Sequence, residues 1–425
     1  MRILYVSQYF PPEMGAPAAR ASELAQHWAE AGHQVSVLTG FPNHPTGVVP
    51  TEWRGRLRRL TYSEKIGCVD VFRTWLWPLP NRKAHERMRN YSSFFISAAL
   101  RGLTLSRPHV IIASSPQLLV GLSGWWLAFA QRVPFVFEVR DLWPESLAAV
   151  GVGNQDSLLH HALATTAKFL YQRADQIVVV TPAFRDHLVH RWRVPPEKIA
   201  IVENGVETGL FAPAVPAASD ALRRELCAEG RFLVCYIGTI GMAHGLETLL
   251  DAASKLQRQN PSVLFLIVGE GAEKPRIQAL AKTQRLTNLR FLDQQPREKI
   301  PLFISASDAC LVLLKKTEIF KTVIPTKMLE FMSCARPVIL SVDGLAREIL
   351  EEAGAGLAIA PEDSEALVRA VNHLAENREL GVGLGRKGRE RILKCFSRSQ
   401  TANKYIDVLQ GLVRRLQTGD TDTSR

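Results

Sequence analysis

A chain of 425 residues can bury two or three separate cores, and 46% apolar with 22% charged residues excludes a disordered or fibrous chain. The formal charge of +11, from 52 Lys plus Arg against 41 Asp plus Glu, favours an anionic partner such as phosphates, nucleic acid or an acidic membrane surface. The six cysteines form no Cys-x-x-Cys pair or zinc spacing and read as buried free thiols in a reducing compartment, several of them within apolar strand-like runs.

Ile3 to Val6 reads as a first buried strand, and the run after it is too short, and too broken by Ser7 and Gln8, for a signal peptide. The loop Gln8 to Ala16, including Glu13 and Gly15, leads into a helix near Ala18 to Ala31; loops after parallel strands are where ligands bind. Gly15 would let the backbone approach a phosphate closely, although a plain helix-start loop explains it equally well. Gln34 to Thr39 is a second strand. No G-x-G-x-x-G opens the first helix, which argues against a nicotinamide or flavin enzyme.

Between Trp53 and Leu103 the basic residues Arg54, Arg56, Arg58, Arg59, Arg82, Lys83, Arg87 and Arg89 interleave with Trp75 and Trp77, before a helical segment from Tyr91. The pattern suits an anionic bilayer surface, or else a solvated basic face beside an aromatic core. No nucleic-acid motif accompanies it, so nucleic acid is not expected as a partner. Leu118 to Phe137, the longest apolar candidate, is interrupted by glycines, Gln131, Arg132 and Pro134 and fails as a membrane span. Val110 to Ala113 and Pro134 to Val139 are further strands. The second ends in Glu138, Arg140, Asp141 and Glu145, a cluster that reads as a ligand contact or an ion pair. A helix from His160, a strand Gln176 to Val180, a helix from Pro182 and a strand Lys198 to Val202 follow, ending at Glu203-Asn204-Gly205-Val206-Glu207.

Phe211 to Ser219, rich in Pro and Ala, reads as a linker, after which the alternation restarts. Phe232 to Ile237 is a strand followed by the glycine-rich loop Gly238 to Gly245, which contains Thr239 and His244. A helix Leu246 to Gln259 comes next, then a strand Val263 to Val268 ending at Gly269-Glu270-Gly271, and strands at Leu289 to Leu292 and Ala309 to Leu314. From Lys321 to Ser341 the pattern is loop, helix and strand. Pro325 blocks regular structure, Thr326 is placed to cap a helix, and Lys327 adds charge to a helix start that already favours an anion. Glu330, one turn in, can accept from a ribose diol, or is the solvated edge of an amphipathic helix. Gly354 to Ile359 is a last short strand, and Phe396 to Leu416 an amphipathic helix that returns to the first domain. The tail string Asp420-Thr421-Asp422 has no supporting ligands, and no metal site is expected.

Tyr9-Phe10-Pro11-Pro12 with Gly15, Glu203 to Glu207, the Gly238 to Gly245 loop, Val268 to Gly271 and Ile324 to Lys327 with Glu330 occur in an order that resembles the family-4 retaining glycosyltransferases of GT-B fold. The likeness is strongest to the subgroup that builds bacterial surface polysaccharides, such as O-antigen, capsule and exopolysaccharide. It implies an α/β fold of two Rossmann-like domains whose parallel sheets face across a cleft. The domains are 1–207 on the acceptor side, a linker 208–219, and 220–395 holding the nucleotide sugar, with the returning helix at 396–416 and a tail at 417–425. The implied reaction moves a sugar, an N-acetylated amino sugar among the candidates, from a UDP-linked donor to a lipid-linked saccharide, with retention and no metal or cofactor. The enzyme would work in the cytoplasm, peripheral on the inner membrane face.

The resemblance assigns donor binding to Gly15, Ala16, Gly238, Thr239, His244, Gly269, Thr326, Lys327 and Glu330, and catalysis to Arg140, Asp141 and Lys327. Glu13, Glu145 and Asn204 fall on the acceptor side. This chain departs from the family in three places. The first acid of E-x7-E falls on Thr322, leaving a neighbour such as Glu318. The basic pair of the phosphate loop falls on Thr239 and His244, leaving Lys327, Lys315, Lys316 or Arg140 to neutralise charge. A common His-Asp is Arg140-Asp141. Two other readings are a GT-B epimerase of nucleotide sugars, which needs acids and bases around the sugar ring, and a non-catalytic nucleotide-sugar-binding protein.

Overall fold

The computed structural model describes residues 1–44, 47–79, 84–146 and 157–418. Arg82, Lys83 and the Asp420-Thr421-Asp422 string lie outside the described residues. The chain divides into two compact units, Met1–Asn204 with Ser399–Arg425, and Gly205–Arg398.

The first unit is built on an eight-stranded sheet of β1 (Arg2–Val6), β2 (Gln34–Gly40), β3 (Thr61–Ile66), β4 (Val69–Thr74), β5 (Val110–Ser114), β6 (Phe135–Val139), β7 (Gln176–Val179) and β8 (Ile199–Ile201). Their order is β3-β4-β2-β1-β5-β6-β7-β8, and only β3 is antiparallel to its neighbour. Strands β5, β6 and β7 are buried along their length, as the central strands of a sheet covered on both faces must be, and therefore read as largely apolar runs, with Ser114, Glu138 and Gln176 the polar exceptions. The β3–β4 hairpin falls where the sequence suggested only a basic, aromatic surface. β3 alternates exposed and half-buried residues at the sheet edge, while β4 buries Arg73, whose Nε donates to Glu64 at 2.6 Å and whose guanidinium stacks 4.5 Å from the Trp53 ring centroid.

The helix Arg398–Thr418 turns Ala402, Tyr405, Ile406, Leu409 and Leu412 into the core of this first unit. Trp28 fixes it there: its indole N–H donates to the Ala402 carbonyl at 3.1 Å, and the ring meets Tyr405 edge-on at 5.1 Å.

The second unit is a six-stranded, wholly parallel sheet of β9 (Phe232–Ile237), β10 (Val263–Val268), β11 (Leu289–Leu292), β12 (Ala309–Leu313), β13 (Val338–Ser341) and β14 (Gly356–Ala358), in the order β11-β10-β9-β12-β13-β14. Successive β9 residues feed opposite cores, Leu233, Cys235 and Ile237 on one face and Phe232, Val234 and Tyr236 on the other. Winding runs outward from β9 to β11 and then returns to β12, so the topological switch lies between β9 and β12. Phe211 to Ser219 is not a free linker. Phe211 is fully buried in the second unit's core, and the helix Pro216–Glu225 begins within the stretch. The cysteines are free, with Cys235, Cys310 and Cys334 buried and Cys68, Cys227 and Cys395 exposed.

Candidate active site

The switch point of the second unit brings together four residues of the predicted donor site and one that the sequence did not offer. The loop after β9 starts at Gly238, whose φ of +141° is open to glycine and strained for other residues; a Cβ there would lie 2.7 Å from Lys327 Nζ. Lys327 leaves the start of the helix Thr326–Ser333, donates to the Tyr236 hydroxyl at 3.1 Å and lies 4.2 Å from that ring's centroid, a cation–π contact. Tyr236 in turn donates to the Thr239 carbonyl at 2.6 Å, and the His244 ring lies 6.1 Å from the Tyr236 ring. Burial pushes the Lys327 ammonium down to about 7, and burial with the nearby Lys327 charge pushes His244 down to about 3. His244 is thus a neutral ring, and its Nδ1 is buried without a hydrogen-bond partner. Tyr236 escaped the sequence analysis because it sits inside an apolar strand.

Glycines close the floor of this site. At Gly269, φ is +152° and a Cβ would fall 2.0 Å from the Gly238 carbonyl oxygen, so the loops after β9 and β10 touch through bare backbone. The loop after β12 joins them, Lys315 N–H donating to Ala243 O at 2.9 Å. Glu330 accepts from Arg297 Nη1 at 3.1 Å, and Arg297 lies 4.8 Å over the Phe211 ring. The carboxylate is therefore oriented by a cation 33 residues away in sequence, a partner that no local motif signals.

One expectation needs correction. Thr326 does not cap the helix; Pro325 occupies the cap position, without a side-chain hydrogen bond, and Thr326 is the first helical residue. The Met328 N–H donates to the Pro325 carbonyl at 3.0 Å, and the N–H groups of Thr326 and Lys327 precede any intrahelical acceptor. Glu318, the neighbour offered for the missing acid at Thr322, is exposed and pairs with Lys321 at 2.6 Å.

In the first unit the predicted residues separate into distinct groups. Gly15, with φ of +135°, precedes the helix Ala16–Glu30, and Arg140 Nη2 donates to the Ala16 carbonyl at 3.3 Å, joining Gly15, Ala16 and Arg140. Asp141 accepts from Ser146 Oγ at 3.3 Å and is pushed up to about 6 by burial. Glu13 accepts from the N–H groups of Asn43 and His44, both at 2.9 Å, while its Oε2 is buried without a partner; burial holds this carboxyl up at about 7. Glu145 pairs with His187 at 3.1 Å. Asn204 accepts from Arg20 at 3.3 Å.

Arg20, which the sequence did not single out, is the centre of a buried network. It donates to Glu138 at 2.9 and 3.0 Å, to Val202 O at 3.1 Å and to Glu203 O at 3.0 Å, while Tyr5 and Ser114 donate to the other Glu138 oxygen. Glu138 is accordingly a structural ion pair. Among the described residues no group of three His, Cys, Asp or Glu is arranged to hold a metal ion.

Two α/β units on mostly parallel sheets, the second bringing Lys327 at a helix start against the glycine-rich strand-end loops of its switch point, are the architecture of a GT-B glycosyltransferase. Residues 15–205 match the "Glycosyl transferase 4-like domain" and residues 219–391 the "Glycosyl transferases group 1" domain, and the chain belongs to this glycosyltransferase family. It is 24% identical over 383 residues, covering 87% of this chain and 91% of the relative, to WcaI of Escherichia coli K12, whose name assigns it to colanic acid biosynthesis as a glycosyl transferase. Sucrose-phosphate synthase from Thermosynechococcus elongatus superposes with a TM-score of 0.75 at 22% identity, covering 97% of this chain and 98% of that one. Anabaena Alr3699/HepE, solved in complex with UDP, superposes with a TM-score of 0.70 at 18% identity, covering 97% and 100%.

Proposed function

We propose that this enzyme transfers a sugar from a UDP-linked donor to a lipid-linked saccharide, with retention and without a metal, during assembly of a bacterial envelope polysaccharide. The observation that carries the reading is the Lys327 ammonium, held on Tyr236 beneath Gly238 at the start of a helix. In the reaction the bond from the sugar's anomeric carbon to the diphosphate oxygen breaks, and the electron pair stays on that oxygen. Lys327 and the helix N–H groups offset the charge that develops there. The acceptor hydroxyl attacks on the face the diphosphate leaves, and its proton passes to the leaving phosphate. Glu330, oriented by Arg297, holds the ribose hydroxyls, and Gly238 and Gly269 allow close backbone approach. Arg140, Asp141 and Glu13 are assigned to the acceptor unit.

A UDP donor is supported by the UDP complex of HepE, and a polysaccharide product by the name of WcaI. The test is transfer of radiolabel from UDP-glucose or UDP-N-acetylglucosamine into organic-extractable lipid, with anomeric configuration read by NMR. Labelled lipid carrying the donor's configuration is expected. Interconversion of the donor sugar without acceptor would replace this reading with the epimerase, and an inverted product would remove retention.

A further inference from the structure

The helix Leu119–Gln131 carries no charged residue, and its buried side is Val120, Gly121, Ser123, Gly124, Leu127 and Ala128. A surface helix ordinarily turns polar residues outward. Here Trp126 is 39% and Phe129 66% exposed. The rotation that exposes them is fixed by close packing: a Cβ on Gly124 would fall 2.5 Å from Ala113 Cβ, and one on Gly102 2.4 Å from Leu127. The neighbouring helix Ala84–Gly102, bound to it through Gln131 Nε2 on the Gly102 carbonyl at 3.0 Å, adds exposed Ile96 and Leu100, and Leu103 follows at its end. Single exposed apolar residues are ordinary, but five on two packed helices are a patch.

The stretch of chain that builds this patch carries charge of one sign. From Arg87 to Phe137 the chain has no Asp or Glu, while Arg87, Arg89, Arg101, Arg107 and Arg132 lie in it. Beside Phe129 opens a cavity of about 910 Å³ lined by Arg2, Arg107, His109 and Arg132, with Leu416 on its apolar side. Its acid, Asp175, already accepts from the Phe135 N–H at 2.7 Å. Arg forks match phosphodiesters, and Trp and Phe favour the boundary between headgroups and acyl chains.

We propose that this face of the first unit docks on an anionic phospholipid bilayer, Trp126 and Phe129 entering the interface and Arg107 and Arg132 taking a lipid phosphate. The one-signed charge favours a bilayer over a protein of mixed charge or a second, equally basic copy of the chain. That docking serves delivery of a lipid-linked acceptor rests on the function proposed above, whereas the docking itself rests on this surface.

The experiment is co-sedimentation of the full chain with vesicles of phosphatidylcholine, with and without phosphatidylglycerol, at low and high salt. Binding is expected only with phosphatidylglycerol, and weaker in salt. Trp126→Ser with Phe129→Ser should lower partition about tenfold or more. Arg107→Gln with Arg132→Gln should lower it roughly 25-fold, about fivefold per charge. Retained UDP binding in each variant shows that the second unit is folded, and an unchanged far-ultraviolet spectrum that the first is. Wild-type protein that stays in solution with anionic vesicles, or variants that sediment like wild type, would overturn the proposal. So would a change of oligomeric state in the aromatic variant with vesicle binding intact, which would assign the patch to a second copy. Transfer to a short-chain, water-soluble acceptor analogue, measured in parallel, tests the function separately, because loss of vesicle binding leaves that activity in place.

Discussion

Lys327 is a buried lysine whose charge responds to its surroundings. Its folded value of about 7 lies below the ordinary 10.5, so between these pH values the folded state binds fewer protons than the unfolded chain, and this group makes stability rise with pH across that window. A bound diphosphate reverses the preference and draws the proton back. Titration of a UDP-sugar at pH 8, in buffers of different ionisation enthalpy, should therefore show close to one proton taken up, and Lys327→Arg should abolish the uptake. Arg20 makes a different prediction, because Glu138 is fully buried with it. Arg20→Leu leaves that carboxylate unpaired and should cost about 3–5 kcal/mol, read as a lower denaturation midpoint. Lys327 and Glu330 were legible as charges near a helix start. Their partners Tyr236 and Arg297 were not, one hidden in an apolar strand and the other distant in sequence. Arg20 gave no signal either, since a lone arginine in an alanine-rich helix looks solvated.

Among the elements, the buried parallel strands were the most legible, because a strand covered on both faces is mostly apolar, with a polar residue such as Glu138 only where it is paired. The β3–β4 hairpin was not, because an edge strand with a half-exposed pattern and a buried arginine on its neighbour break the expected alternation. The helix Arg398–Thr418 was read from its amphipathic spacing, though it begins two residues later than expected, Phe396 belonging to the second unit's core. Ending the chain at residue 398 removes buried Tyr405, Ile406, Leu409 and Leu412 from the first unit and leaves the second whole. At about 1.5–3 kcal/mol each, their loss is comparable with a whole domain's stability of about 5–15 kcal/mol. The first unit of the truncated chain should unfold or melt far earlier, seen as loss of the buried Trp28 fluorescence signal, while UDP binding by the second unit persists. Loss of both together would show that the units do not fold separately.

For the molecule as a whole, two separately cored α/β units match two glycosyltransferase domains, and the proposed donor site draws on the second unit's own strand-end loops. The central claim is that this site binds a nucleoside diphosphate through Lys327 and Glu330. The most direct test is calorimetric titration of UDP, GDP, CDP and ADP into the wild-type chain and Glu330→Ala. The account predicts that UDP binds at least about tenfold tighter than the others and that Glu330→Ala weakens it about tenfold or more, the loss of one charged hydrogen bond. Equal UDP affinity in the two proteins, or no binding of any of the four nucleotides, would contradict it.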